Sequence, residues 1–417
     1  MTRVRIVGGG MGGVLAALEA HRQGFREIEL HERSGRLGGS ALPRVDHGVE
    51  LRELQVRFGA RGDAARDLLE WQGVAFDAVE AGCGSVSPSP SGGHVFVEDF
   101  DGPALPCRGL ALAEPAGETL ADRIRAYPAE MQPALRRHAE WRLGDWLDHA
   151  HADAAACMDM ARVYPIGADV STLADLRRTD EHYDELYALP PGMGGRARAV
   201  QATPREGYAA MFEAARRRLQ DLGVVIHDTS LVSPHEALHT CAEDDLVLWT
   251  ADPAPLFRPA GVEPPRPARR LRATYVFKAQ FGRPAPFHIC NFTAAGVVAR
   301  LFAYESRGHT LLTAECIAEA PDGDLRREIQ RLCAGFGGEA LVLGDQVEAG
   351  VRSADLPSVE RVHRLAELRR AVARTCGGAL LVARVDPARP GPGLAALGRD
   401  LAQALAAPAA APRALRA

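Results

Sequence analysis

The first forty residues constrain the fold most strongly, because a short apolar strand there runs into a glycine turn, a helix of small residues and a second strand. Gly8, Gly10 and Gly13 fit the pattern G-x-G-x-x-G. In such a turn the first glycine permits the bend, the second lets a pyrophosphate approach the backbone, and the third lets helix and strand pack closely. The helix N-terminus adds unpaired N–H groups that attract phosphate. The sequence therefore predicts a dinucleotide site that includes Gly8, Gly10, Met11, Gly12 and Gly13.

An acidic residue, Glu32, ends the second predicted strand. An acid at this place hydrogen-bonds a ribose hydroxyl and disfavours a 2′-phosphate, which argues against NADP. An ordinary strand-to-helix turn is the alternative interpretation. It is disfavoured because the strand, the glycines, the helix, the second strand and the acid all occur in the required order.

The residues after Glu32 narrow the choice of cofactor. Glu32, Arg33, Arg36, Gly38 and Gly39 form an E-R-x-x-R-x-G-G pattern, followed by Ser40. This pattern resembles the continuation found in FAD-binding proteins of the amine oxidase, phytoene desaturase and UDP-galactopyranose mutase group. Arg36 can present a fork of donors to a pyrophosphate, and a glycine pair lets the backbone pass close to a flat ring. The resemblance implies FAD as the cofactor and adds Arg33, Arg36, Gly38, Gly39 and Ser40 to its predicted site.

Three later stretches resemble segments of UDP-galactopyranose mutases in the same order. They are Pro204-x-x-Gly207-Tyr208-x-x-Met211-Phe212, Asn291-Phe292 with Ala299-Arg300-Leu301-x-x-x-Glu305, and Ala383-Arg384. By this resemblance Arg384 lies at the flavin, and Val232 lies over the adenine. The implied fold class is α/β, with a Rossmann-type FAD-binding domain interleaved with a mixed helical and antiparallel-sheet substrate domain.

The sequence also departs from the mutases where their chemistry resides. Gln55–Gly59 occupies the place of the mutase G-x-H-I-F-H-T segment and contains no histidine. Val385–Gly393 follows the G-R position without the tyrosines that mutases carry there. We therefore expect a divergent flavoenzyme of specialised metabolism rather than a mutase.

A length of 417 residues suits two interleaved domains. We predict a discontinuous FAD-binding domain over residues 1–100, 200–265 and 370–410. The substrate domain takes 101–199, with a helical insert, and 266–369, with about four antiparallel strands between 273 and 317. Residues 82–93, rich in Gly, Ser and Pro, are predicted to be a loop, and 411–417 a disordered tail.

Charge and composition exclude several classes of function. A net charge of −5 gives no reason to expect a nucleic-acid partner, and no apolar run reaches the roughly 18 residues that a membrane span requires. The eight cysteines are scattered, which indicates reduced thiols of a cytoplasmic protein and neither disulfides nor a zinc site. His149 and His151 fall on different faces of a helix, so no metal site is predicted there or elsewhere.

Candidate catalytic residues are less specific. Arg57, Lys278 and Arg300 could line a flavin pocket or bind an anionic substrate, and ordinary surface charge is the alternative for each. His288 and Tyr304 could be acid–base groups or buried residues of the sheet. Three functions stay open: an FAD-dependent oxidoreductase acting on a C–N or C–C unit of a small molecule, a non-redox isomerase using reduced FAD, and a flavin-binding protein without turnover. The oligomeric state is not predicted.

Overall fold

The structure is a computed structural model. It describes residues 3–52, 56, 58–59, 63–80, 82–88, 93–97, 117–125, 129, 132–152, 154, 175, 200–239, 245–337, 341–376, 380–382 and 390–406. Arg57, Arg384 and the predicted tail 411–417 lie outside the described residues.

Seventeen strands and nine helices occur among the described residues. The strands are β1 Arg3–Val7, β2 Ile28–Glu32, β3 Arg44–Asp46, β4 Val49–Leu51, β5 Phe58–Gly59, β6 Phe76–Glu80, β7 Gly82–Pro88, β8 His94–Val97, β9 Val200–Pro204, β10 Val225–Asp228, β11 Asp245–Trp249, β12 Arg269–Gln280, β13 Phe287–Asn291, β14 Val298–Ser306, β15 His309–Cys316, β16 Val342–Asp355 and β17 Leu380–Val382. The helices are α1 Met11–Arg22, α2 Ala64–Trp71, α3 Leu120–Arg125, α4 Gln132–Leu143, α5 Tyr208–Asp221, α6 Pro234–His239, α7 Asp322–Cys333, α8 Val359–Cys376 and α9 Pro390–Ala406.

The N-terminal segment builds a five-stranded sheet in the order β10-β2-β1-β11-β17, in which all neighbouring strands are parallel. Helix α1 connects β1 to β2, and Gly24, with φ of +103°, follows it in the left-handed region. Apolar residues on one face of the sheet, including Val4, Ile6 and Leu30, join a core with α1, α5 and α9. The predicted Rossmann-type α/β architecture is confirmed by this arrangement.

A second sheet has seven strands in the order β16-β12-β15-β14-β13-β7-β8. The predicted antiparallel strands between 273 and 317 are confirmed as β12 to β15. The loop predicted at 82–93 is wrong over Gly82–Pro88, which forms β7 and pairs in parallel with β13. Bare glycine backbone is needed there, because a Cβ on Gly82 or Gly84 would lie 2.3 Å from the Phe287 ring or 2.4 Å from the Phe336 ring. Long-range pairing thus overrides a composition typical of loops.

The two faces of the seven-stranded sheet are both covered. One face packs on α7 through an apolar core that includes Phe277, Leu301 and Leu325. On the other face Val276, Tyr304 and Leu311 form a smaller cluster with Leu51 of β4. Because β4 belongs to the same N-terminal segment as Gly38 and Gly39, this second face contacts the segment that carries the predicted dinucleotide site.

Helices α3 and α4 lie within residues 101–199, where the sequence predicts a helical insert. The Trp141 indole N–H on α4 donates to the carbonyl oxygen of Gly296 at 2.9 Å, which ties the insert to the seven-stranded sheet. The boundaries that we predict for the two domains stay a prediction. Within the described residues, no helix combines the length and apolar character that a bilayer crossing requires.

Candidate functional site

Two of the three motif glycines are required by the protein itself. Gly8 has φ of +104°, and a Cβ there would lie 2.9 Å from the backbone nitrogen of Ala251. A Cβ on Gly13 would lie 1.8 Å from the carbonyl oxygen of Gly8. These glycines form the tight turn and the close helix–strand contact that the motif predicts.

Gly10 is different, because the described protein atoms leave room for a side chain there. Its φ of −66° and ψ of −175° suit any residue, and the nearest atom to an added Cβ would be Gly39 Cα, 4.0 Å away. Gly10 also pairs with Gly38 in an isolated parallel bridge, and the Gly38 N–H donates to the Gly9 carbonyl oxygen at 2.8 Å. The two glycine segments therefore run side by side and leave bare backbone with open space in front of it.

The N-terminus of α1 faces the same place. Gly10 is the N-cap residue, no side chain among the described residues caps the helix, and the first turn carries no acid. The first four N–H groups of a helix lack helical partners, and its dipole places partial positive charge there. Bare backbone and an uncapped helix end together suit a pyrophosphate.

Glu32 lies beside this backbone at the end of β2 and is 9% exposed. One carboxylate oxygen, Oε2, accepts the Gly9 N–H at 2.7 Å. The other, Oε1, accepts the Ser34 N–H at 2.5 Å. Each oxygen has a second lone pair, so the carboxylate can still accept hydrogen bonds from ribose hydroxyls.

Four more of the predicted cofactor residues lie in segments next to Glu32 or to the glycine backbone: Arg33, Arg36, Ser40 and Val232. Arg33 and Arg36 are exposed, and Ser40 is exposed in a 3-10 turn spanning Gly39–Ala41. Val232 is buried in a core cluster with Val7 and Trp249. Its segment is held next to Glu32, because the Ser230 N–H donates to the Glu32 carbonyl oxygen at 2.8 Å. The structure thus brings these residues to the end of the parallel sheet, and their roles stay a prediction.

Lys278 and Arg300 lie on the same face of the seven-stranded sheet but not at one point. Lys278 pairs with Leu311, and Leu311 in turn pairs with Tyr304. Arg300 lies four residues before Tyr304 on β14, or about 13 Å along the strand. No single site therefore unites these two predicted catalytic residues.

Arg300 belongs to an ion cluster around Glu315, which is 13% exposed at its side chain. The Nη2 and Nε atoms of Arg300 donate to Glu315 Oε2 at 2.7 and 3.1 Å. Arg272 donates to the same oxygen, and Arg142 of α4 donates to Oε1 at 3.5 Å. Burial favours the neutral acid, but the three guanidinium groups outweigh it and lower the pKa of Glu315 to about 2. This contact gives Arg300 a structural role in joining the helical insert to the sheet.

A cavity of about 780 Å³ is lined by residues of β4, β6, β9 and β14 and of the first turn of α5. The Arg52 guanidinium lies 4.7 Å from the Tyr208 ring centroid and 4.8 Å from that of Tyr304. The backbone N–H of Arg52 donates to the Tyr304 hydroxyl at 2.9 Å. The Nη2 atom of its side chain donates to the Glu50 carboxylate at 3.1 Å. Charged side chains of both signs also line the cavity: Asp77, Arg205, Glu206, Glu305 and Arg307.

Helix α5 connects this cavity to the glycine backbone. Tyr208 in its first turn lines the cavity, and Phe212 packs on Gly38, where an added Cβ would lie 2.8 Å from the ring. The two residues are four positions apart, which is about 6 Å along a helix. The cavity therefore begins about one helical turn from the predicted pyrophosphate position. Glu50 and Arg52 are not predicted as site residues from the sequence, because nothing in or after the strand Val49–Leu51 distinguishes their charges from surface charges.

Comparison with known proteins identifies proteins that share this fold. Residues 6–66 match the family described as the NAD(P)-binding Rossmann-like domain. A structure of reduced UDP-galactopyranose mutase is similar with a TM-score of 0.64 at 12% identity, covering 97% of this chain and 96% of that one. Putrescine oxidase bound to putrescine is similar with a TM-score of 0.55 at 15% identity, covering 97% and 99%. The chain has the fold of these enzymes.

An oxidoreductase from Methanosarcina mazei also has this fold, with a TM-score of 0.56 at 15% identity over 97% of this chain and 100% of that one. No curated protein matches the chain by sequence. The expected likeness to the amine oxidase and UDP-galactopyranose mutase group is thereby confirmed at the level of the fold.

Proposed function

We propose that this protein is an FAD-dependent oxidoreductase that acts on a C–N or C–C unit of a small molecule in specialised metabolism. The observation that carries the proposal is the bare backbone between Gly10 and Gly39, next to the uncapped N-terminus of α1 and the carboxylate of Glu32. A dinucleotide needs these three elements, and the fold is shared with putrescine oxidase.

FAD would be held by named groups of this chain. The backbone at Gly10, Met11, Gly12 and Gly39 faces the pyrophosphate, Glu32 accepts the ribose hydroxyls, and Arg36 adds positive charge. Val232 supports the adenine, with Gly38 and Ser40 along the path towards the cavity. Bound flavin supplies two-electron redox chemistry, for which the protein provides orientation and electrostatics.

The cavity beside Arg52 is the proposed substrate site. Its lining is rich in charged and aromatic groups, which favours a small polar substrate over a lipid. The Arg52 guanidinium lies close to two aromatic rings and can orient an anionic or carbonyl group of the substrate. Burial raises the pKa of Tyr304, so its hydroxyl stays protonated and acts as a hydrogen-bonding group at neutral pH.

We expect the purified protein, reconstituted with FAD, to be yellow. Its flavin absorbance should bleach when a substrate with an oxidisable C–N or C–C bond is added in the absence of oxygen. Bleaching reports transfer of two electrons from the substrate to the flavin, so absorbance spectroscopy in an anaerobic cuvette tests the proposal. An Arg52→Met variant should bind FAD equally well and bleach more slowly, since it keeps the apolar stem of the side chain and loses the charge.

The similarity to reduced UDP-galactopyranose mutase supports a second candidate, a non-redox isomerase. That candidate requires product formation only after dithionite reduction and no bleaching by substrate. A yellow protein that turns over nothing would support flavin binding without catalysis. A protein that stays colourless after incubation with FAD would contradict all three.

A further inference from the structure

A polar cluster lies on the parallel sheet, on the face opposite α1. Glu29 and His31 are two residues apart on β2, so their side chains point to the same face. His227 of β10 lies directly opposite His31 in the strand register. The two imidazole rings stack with their centroids 4.4 Å apart and their planes inclined by 15°.

The donor atoms of these three residues converge. His31 Nε2 is 3.6 Å and His227 Nε2 is 3.7 Å from the same oxygen, Oε2 of Glu29, and all three atoms lie within 4.8 Å of one another. Neither Nε2 has a hydrogen-bond partner among the described residues. Tetrahedral ligands bound to Zn²⁺ at about 2.0–2.2 Å lie roughly 3.4 Å apart. Small side-chain rotations therefore bring the three atoms to the spacing of zinc ligands.

A neighbouring serine orients His31. Ser230 Oγ lies 2.9 Å from His31 Nδ1, and the Ser230 N–H is itself fixed on the Glu32 carbonyl oxygen at 2.8 Å. In the tautomer in which His31 Nδ1–H donates to Ser230 Oγ, the lone pair lies on Nε2, the nitrogen nearer Glu29; outer partners fix metal-binding histidines in the same way.

The surrounding charges balance. Arg3 Nη1 lies 3.6 Å and Arg5 Nε 3.8 Å from Glu29, and Glu236 of α6 lies 3.7 Å from Arg5. Two arginines and two glutamates give the surroundings of the two histidines no net charge. The side chains of Glu29, His31 and His227 are 23%, 13% and 40% exposed, so an ion and a water ligand can enter.

We propose that Glu29, His31 and His227 form a Zn²⁺ site that joins the edge strand β10 to β2. Two imidazoles and one carboxylate are a typical zinc donor set, and the fourth position is left to water. Glu29 and His31 precede Glu32 on β2, and the proposed zinc site shares no ligand with the predicted dinucleotide site.

Full-length protein without an affinity tag, stripped of metal, tests this directly. Calorimetric titration with Zn²⁺ and visible absorption of added Co²⁺ should each show saturation at one ion per chain. His31→Gln and His227→Gln should abolish saturable binding, and Ser230→Ala should weaken it by about tenfold or more. His309→Gln, at an exposed histidine of β15, is the matched control and should bind like the wild type.

Thermal unfolding gives a second readout. Zn²⁺ should raise the unfolding temperature of the wild type and of the His309→Gln protein, and leave that of a His31→Gln/His227→Gln protein unchanged. Absence of saturable uptake by the wild type would overturn the proposal. Equal uptake by the wild type and a Glu29→Gln protein with an unchanged circular dichroism spectrum would overturn it too. These measurements need neither FAD nor turnover, so they are independent of the proposed function.

Discussion

Replacing Gly10 by alanine is expected to weaken FAD binding strongly while the chain stays folded. The backbone at Gly10 has ordinary dihedral angles, and the described atoms leave a new methyl group in open space. The methyl group would instead meet the cofactor. Forcing one methyl group into a packed contact costs about 1–3 kcal/mol, which is about a 5- to 140-fold loss of affinity. Fluorescence titration of the apoprotein with FAD measures this loss.

Gly13→Ala is the matched comparison, because its methyl group would meet the protein rather than the ligand. The added Cβ would lie 1.8 Å from the Gly8 carbonyl oxygen, so we expect destabilisation by about 3 kcal/mol or more. Thermal unfolding of the two apoproteins separates the cases. Two outcomes would contradict these separate roles for Gly10 in cofactor binding and Gly13 in folding. One is equal unfolding temperatures for Gly10→Ala and Gly13→Ala, and the other is wild-type FAD affinity in Gly10→Ala.

Replacing Glu315 by glutamine is expected to destabilise the protein by about 3–5 kcal/mol, the usual cost of removing one partner from a buried ion cluster. Arg142, Arg272 and Arg300 would then repel one another without the carboxylate between them. Glu305→Gln, at an exposed position on β14, should change stability by less than about 0.5 kcal/mol. Denaturant unfolding of both variants measures the difference, and similar values for the two would contradict the role of the cluster.

The same cluster gives stability a defined pH dependence. The folded-state pKa of Glu315 is lowered to about 2 from an ordinary value of 4.5. Its contribution is therefore fully present above pH 4.5 and is lost as the pH falls through about 2. Acid titration of stability should be less steep in this interval for Glu315→Gln than for the wild type.

Much of the structure around the predicted dinucleotide site could be predicted from the sequence, because the residues that specify it are close together in the chain. Gly8, Gly13 and Glu32 lie in one strand–turn–helix–strand unit. The two glycines make the close backbone contacts that their positions in the motif predict, and Glu32 lies beside the glycine turn, where its contact with a ribose stays a prediction. The four strands between 273 and 317 were predicted for a similar reason, since alternation of apolar residues is visible along each strand.

The surroundings of Arg300, Glu50 and Arg52 could not be predicted, because their partners come from distant segments. Arg300 is a plausible substrate ligand in the sequence, but it meets Glu315 from β15 and shares that carboxylate with Arg142 of the helical insert. The sequence does not distinguish Arg52 from a surface arginine; only the positions of α5 and β14 bring Tyr208 and Tyr304 next to it. Strand β7 was missed for a related reason, since only pairing with β13 makes a strand of a Gly- and Ser-rich segment.

The sequence by itself determined the dinucleotide-binding turn, its acid and the α/β fold, because short-range geometry and periodic burial specify them. Only the tertiary structure decided which charges meet. It enclosed the Glu315 carboxylate among three arginines, and it opened a cavity one helical turn from Gly38. It also set His227 beside His31 and Glu29 across nearly two hundred residues. Those contacts depend on strand register and on the packing of helices that are distant in sequence. Neither can be derived from any single stretch of residues.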